Sequence, residues 1–148
     1  ISGNVLTGDA TSADGYLGFF DDLVTVIPEG NEPQFLGWLA PNFHKFSLSR
    51  SYFSWLTPGK KYELNTNMNG EDRAFVVSGQ YEAVLPMDIY PVQLIKSIMT
   101  NDLDKMENLG IYEVIPEDFA LCEYACTSKM NVQSILRDGL DVAKQELG

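Results

Sequence analysis

Near Asp88 the spacing of the apolar residues changes, and that change divides what the chain is able to build. Before it, short apolar runs alternate with turn residues. Ile1 to Leu6 reads as a short strand, followed by a loop of Gly, Asp, Thr, Ser and Ala from Gly8 to Gly15. Leu23-Val24-Thr25-Val26-Ile27 is β-branched and closes on Pro28-Glu29-Gly30 and Asn31-Glu32-Pro33, a strand followed by turns. Phe35 to Leu39, the alternating Phe46-Ser47-Leu48-Ser49, Tyr62-Glu63-Leu64, Ala74 to Val77 and Tyr81 to Leu85 read the same way. Asn69-Gly70 is a strong turn signal between two of them.

After Asp88 the period is helical. Pro91 suits a first helical turn, and Val92, Ile95, Ile98 and Met99 then share one face. A second helix is expected from about Asp102 to Leu109, with Gly110 placed to end it. Pro116-Glu117-Asp118 opens a third, with its acids where the helix dipole favours them. Asn131 is the expected cap of a fourth, whose stripe is Ile135, Leu136, Leu140, Ala143 and Leu147. The expected fold class is therefore α+β, a β-rich segment over residues 1–87 followed by a small helical bundle over 88–148. The chain opens at Ile1 in what reads as mid-strand sequence, so it is expected to be a fragment of something longer.

A net charge of −11 excludes the basic surface that nucleic acid requires, and it disfavours adsorption to an anionic bilayer. No apolar run approaches the roughly 20 residues of a membrane span. Against this acidic background, Lys45, Arg50, Lys60, Lys61 and Arg73 lie close together in sequence and make up half of the ten Lys and Arg. They are a candidate docking surface for an acidic partner or a lipid headgroup. The plainer reading is a solvated sheet edge guarded by charge.

Chemistry-bearing residues are few. Cys122 and Cys126 lie in Leu-Cys-Glu-Tyr-Ala-Cys-Thr, the spacing of the last two cysteines in a C-x2-C-x2-C-x3-C iron–sulfur run. The two earlier ligands would fall at Pro116 and Phe119, and Thr127 stands where proline usually follows. The pair is thus read as a degenerate iron–sulfur remnant, with no metal held by this chain alone. On a helix through Phe119 to Cys126 the thiols would share a face, either as small buried hydrophobes or as a redox-sensitive or subunit-shared pair. His44 has no nucleophile beside it. Gly8-Asp9-Ala10-Thr11-Ser12 lacks the lysine of a phosphate loop. The acid pairs Asp21-Asp22, Glu71-Asp72 and Glu117-Asp118 read as turn and helix-start residues. No catalytic residue is assigned.

Several blocks in succession resemble one family, the A subunit of the bacterial sodium-translocating NADH:quinone reductase. They are Ile1-Ser2-Gly3-Asn4-Val5-Leu6-Thr7-Gly8, then Phe35-Leu36-Gly37-Trp38 to Lys45-Phe46-Ser47-Leu48-Ser49-Arg50. Asn69-Gly70-Glu71-Asp72-Arg73-Ala74 follows, continuing through Gly79 to Ile89, and last Glu117-Asp118-Phe119-Ala120-Leu121-Cys122 with Cys126 and Leu136-Arg137. The resemblance implies the C-terminal, non-catalytic part of a peripheral subunit on the cytoplasmic face of the bacterial inner membrane. Its partners would be the other subunits of the pump. The whole complex would use NADH and ubiquinone and export sodium, with no cofactor bound by this segment. Residues 1–8 would be the last strand of a soluble-ligand-binding β-grasp module, and the cysteine run would be what remains of clusters that related subunits keep. The alternative is a freestanding acidic module that binds a small ligand or peptide. A third reading has the thiols completing a cluster with ligands from another chain.

Overall fold

A computed structural model describes residues 1–32, 34–37, 39–48, 50–67 and 73–147. The expected Asn69-Gly70 turn, the Glu71-Asp72 pair, Trp38 and the Leu147 side chain lie outside the described residues. The chain divides into two compact units, one formed by Ile1–Val24 with Asp72–Gly148 and the other by Thr25–Glu71.

The first unit carries the helices and the principal core. Helix α1 (Pro91–Met99) starts on its proline, which has no N–H to leave unpaired. It stops in a Schellman turn: Asn101 takes the left-handed conformation, Asn101 N–H donates to Ile98 O, and Asp102 N–H donates to Ser97 O at 3.0 Å. Helix α2 (Leu103–Asn108) is capped by Asp102, whose side chain accepts from Lys105 N–H at 3.2 Å, and Gly110 turns the chain at φ 84°. Two 3₁₀ turns, Ile111–Glu113 and Pro116–Phe119, lead into α3 (Ala120–Ala125), and α4 (Val132–Leu147) follows. The second 3₁₀ turn is fastened by Asp118, whose carboxylate accepts from Ile115 N–H at 3.1 Å.

These elements enclose Tyr81, Val92, Leu94, Ile95, Met106, Ile111, Phe119, Cys122, Val132 and Leu136, all fully or almost fully buried. The buried face of α1 runs through Val92, Leu94, Ile95 and Ile98, while Met99, expected on it, is exposed. At Gly139 of α4 the helices meet closely: a Cβ there would lie 2.8–2.9 Å from three side-chain carbons of Ile98.

The expected β-rich half is not formed. Among the described residues there is no strand, and the pairing is confined to isolated bridges, Ser2 with Asp9 and with Val24, and Gly3 with Val24. A strand draws its stability from a ladder on each side and from packing of one face, not from β-branching alone. Val24 has isolated bridges in place of a ladder, and Leu23, Val24 and Val26 stand exposed. Residues 1–8 make a knot of local bonds in place of an uninterrupted strand. Ser2 exchanges backbone bonds with Asp9, Gly3 N–H donates to Leu23 O, and the Ser2 hydroxyl donates to the Asp21 carboxylate while accepting from Gly18 N–H. Tyr81 to Leu85, expected as a strand, curls into one helical turn in which Leu85 N–H donates to Tyr81 O at 2.9 Å. That turn carries Tyr81 and Leu85 into the core.

The second unit is held by loops and side-chain turns. Asn42 Oδ1 accepts from the N–H groups of His44 and Lys45, Thr66 Oγ1 accepts from Gly30 N–H, and Tyr52 OH donates to Gly37 O at 2.7 Å. Its helical element is the 3₁₀ turn Phe53–Leu56.

Candidate functional site

The thiol pair is built from two segments far apart in sequence. Cys122 lies within α3, and Cys126 caps that helix in an extended conformation, so the helix ends one residue short of placing both thiols on it. Both are buried, at 0% and 3% exposure. Tyr81 joins them: its phenol donates to Cys126 Sγ at 3.0 Å, and Cys122 Sγ lies 3.9 Å from its backbone oxygen. The turn at Gly79–Leu85 is what delivers Tyr81 to this place.

Burial is the main cause pushing the Cys122 thiol up to about 12, with the charges of Glu82 and Cys126 adding to it. Burial likewise raises Tyr81, reinforced by its hydrogen bond to Cys126. The thiolate is the form that ligates metals and attacks electrophiles, so raising the thiol's pKa opposes both. The donor set is short as well. Among the described residues, no three of His, Cys, Asp and Glu come together. Phe119, at the position an earlier cluster ligand would take, is fully buried in the core. The residues present do not fit an iron–sulfur cluster, and what they form is a packed polar contact inside a hydrophobic core.

The five candidate docking residues do not form one group. Lys45, Arg50, Lys60 and Lys61 belong to the second unit and Arg73 to the first. Lys45 Nζ donates to Gly37 O at 2.8 Å and sits 5.8 Å from the centre of the Tyr52 ring. Lys60 Nζ donates to Phe43 O at 2.9 Å and to His44 Nδ1 at 2.8 Å. These two ammonium groups brace their own unit, while Arg50, Lys61 and Arg73 are exposed. Arg73 also ties its stretch of chain to the helices, its N–H donating to Ser128 O at 3.5 Å.

Two contributors were not visible in the pattern of residues. Tyr81 is 45 residues from the thiol it binds. The start of α4 is capped from outside, by the Glu123 carboxylate accepting Gln133 N–H at 2.9 Å. An anion at a helix N-terminus satisfies a free donor and the dipole together. The only signal for it in the sequence is a carboxylate a short loop upstream of a helix start.

No family model matches the chain. Curated relatives do, and each is named as the A subunit of a Na(+)-translocating NADH-quinone reductase. The chain is 42% identical over 147 residues to the protein of Rhodopirellula baltica, covering 99% of this chain and 32% of that protein. It is 40% identical over 147 residues to those of Shewanella frigidimarina and Vibrio parahaemolyticus, covering 99% of this chain and 33% of each. The chain therefore spans about a third of the length of the relatives it matches. Matched over 99% of its length at this level, the chain is similar to about one third of the Na(+)-translocating NADH-quinone reductase A subunits.

Proposed function

We propose that this chain is the C-terminal, non-catalytic scaffold part of the peripheral A subunit of a sodium-pumping NADH:ubiquinone oxidoreductase. The complex passes electrons from NADH to ubiquinone and couples that transfer to sodium export. This part binds none of the redox cofactors and makes no turnover alone. It holds the body of its subunit, on the cytoplasmic face of the bacterial inner membrane, against neighbouring subunits. The observation that carries the reading is identity of about 40% sustained over 147 residues with subunits of that name. The burial of both thiols, with the Cys122 thiol pushed up by it, agrees with a structural role. So does the finding that no helix among the described residues is long and apolar enough to cross a membrane.

The test is a chimera in which this chain replaces the matching third of a relative's A subunit, expressed in cells that lack the native protein. Sodium-stimulated NADH:quinone reductase activity in membranes should return. An assembled complex without that activity would refute the reading.

A further inference from the structure

The 3₁₀ turn Phe53–Leu56 is inside out. It buries its serine, Ser54, at 3% exposure, and presents Phe53, Trp55 and Leu56 at 45%, 52% and 54%. The serine is held there by its backbone oxygen, which accepts from Thr57 N–H, from the Thr57 hydroxyl and from Tyr62 OH. The apolar side chains are therefore turned outward by a built arrangement. Phe43, itself half-exposed, extends the patch, its ring centre 5.7 Å from that of Phe53. Lys60 is bonded to the Phe43 backbone oxygen, and Lys61 beside it is exposed. From Gln34 to Tyr62 the sequence holds four Lys and Arg and no Asp or Glu, in a chain whose net charge is −11.

An aromatic centre with a sparse basic rim is the anatomy of a protein–protein contact, whose binding energy concentrates in Trp, Tyr and Arg. A bilayer fits less well. Lys45 and Lys60 are engaged internally, and attraction to anionic lipid amounts to only about 1 kcal/mol for each basic residue near the surface. The acidic remainder of the chain would oppose it.

We infer that Phe43, Phe53, Trp55 and Leu56 form the apolar centre of the surface by which this part of the protein docks on a neighbouring one, apolar at its middle and acidic at its rim. The inference rests on the functional reading above and assigns it a contact. It also moves the energy of docking from the lysines to the aromatic turn, leaving Arg50 and Lys61 to steer the approach.

The test uses the full-length A subunit carrying this sequence, with Phe53→Ala and Trp55→Ala together, and Tyr16→Ala as an exposed control. Binding is read by reconstitution with the remaining subunits, and folding by the melting temperature of the free protein. The aromatic pair should weaken association more than tenfold with an unchanged melt, and Tyr16→Ala should do nothing. A second variant, Arg50→Glu with Lys61→Glu, should slow association several-fold and flatten its salt dependence. Unchanged association in the aromatic variant overturns the inference. A lowered melting temperature does too, since the face would then lie inside the protein's own body. So does loss of binding to vesicles of phosphatidylglycerol and phosphatidylcholine with assembly intact, which would assign the face to lipid. If the unaltered protein does not associate at all, the functional reading itself fails.

Discussion

The contact between Tyr81 and Cys126 predicts a specific failure of additivity. Tyr81→Phe removes a buried donor and keeps the ring, so the loss is the net value of one hydrogen bond, ~0.5–1.5 kcal/mol. Cys126→Ala is worse, because it leaves the Tyr81 hydroxyl buried without its acceptor, a cost of ~1–3 kcal/mol before any lost packing of the sulfur. In the double variant there is no hydroxyl left to strand. The two effects should therefore sum to more than the double variant shows, by about 1 kcal/mol. Urea unfolding of the four proteins, extrapolated linearly to water, measures this directly, and each 1 kcal/mol should appear as ~2–4 °C in the melting temperature of a domain this size. Additivity to within ~0.3–0.5 kcal/mol would show that phenol and thiol are merely neighbours, and the account of the thiol pair as a structural contact would fall. If, as proposed, the sulfur carries no electron or metal, the Cys126→Ala variant should leave quinone reduction by the assembled complex at the normal rate.

Further outcomes follow from the same core. Cys122→Ser should destabilise more than Cys122→Ala, because the acceptor of the thiol, the Tyr81 backbone oxygen, is 3.9 Å away, too far for a hydroxyl, and a buried hydroxyl without a partner costs ~1–3 kcal/mol; thermal melts of the two variants decide it. Thiol reagents at pH 8 should leave Cys122 of the folded chain unmodified and label it once urea unfolds the protein. Stability should also fall with alkaline pH: Cys122 is held up at about 12 when folded, so above the ordinary thiol pKa the unfolded chain loses a proton that the folded one keeps, and the folded state is penalised progressively up to that value. Urea midpoints measured from pH 8 to pH 11 should decline, and less steeply in Cys122→Ala. Gly139→Ala should destabilise although alanine favours a helix by ~1 kcal/mol, since the new methyl meets three atoms of Ile98 and overpacking costs ~1–3 kcal/mol. Adding Ile98→Ala should relieve that particular clash, which a comparison of melting temperatures will show.

What could be read from the residues was local. Pro91, Asp102 and Gly110 mark helix ends by their own backbone chemistry, and α1 and α2 begin and stop beside them. The strands were not local. β-branching at Val24 and Val26 states what the residues tolerate, while a ladder needs partners that the described chain does not supply. The period alone also misplaced one residue in α1, choosing Met99 where packing against the rest of the core selects Leu94. The cysteine spacing suggested a shared helical face. The structure instead ends α3 at Ala125 and lets a distant tyrosine bring the thiols into one contact. No spacing rule in a single sequence carries a hydrogen bond between positions 81 and 126, or the capping of α4 by Glu123.

The first unit is discontinuous, and one of its bonds measures how far. Gln133 Nε2 donates to the backbone oxygen of Leu6 at 2.8 Å, across 127 residues. A ribosome adding roughly 5–20 residues per second would therefore expose the N-terminal knot for about 6–25 s before its partner on α4 exists. In that interval Ser2 can already pair with Asp9, Gly18 and Asp21, and Gly3 with Leu23. The bridges of the knot join Ser2 and Gly3 to Asp9 and Val24. A segment that must wait for α4 is thus engaged in contacts available soon after it is made.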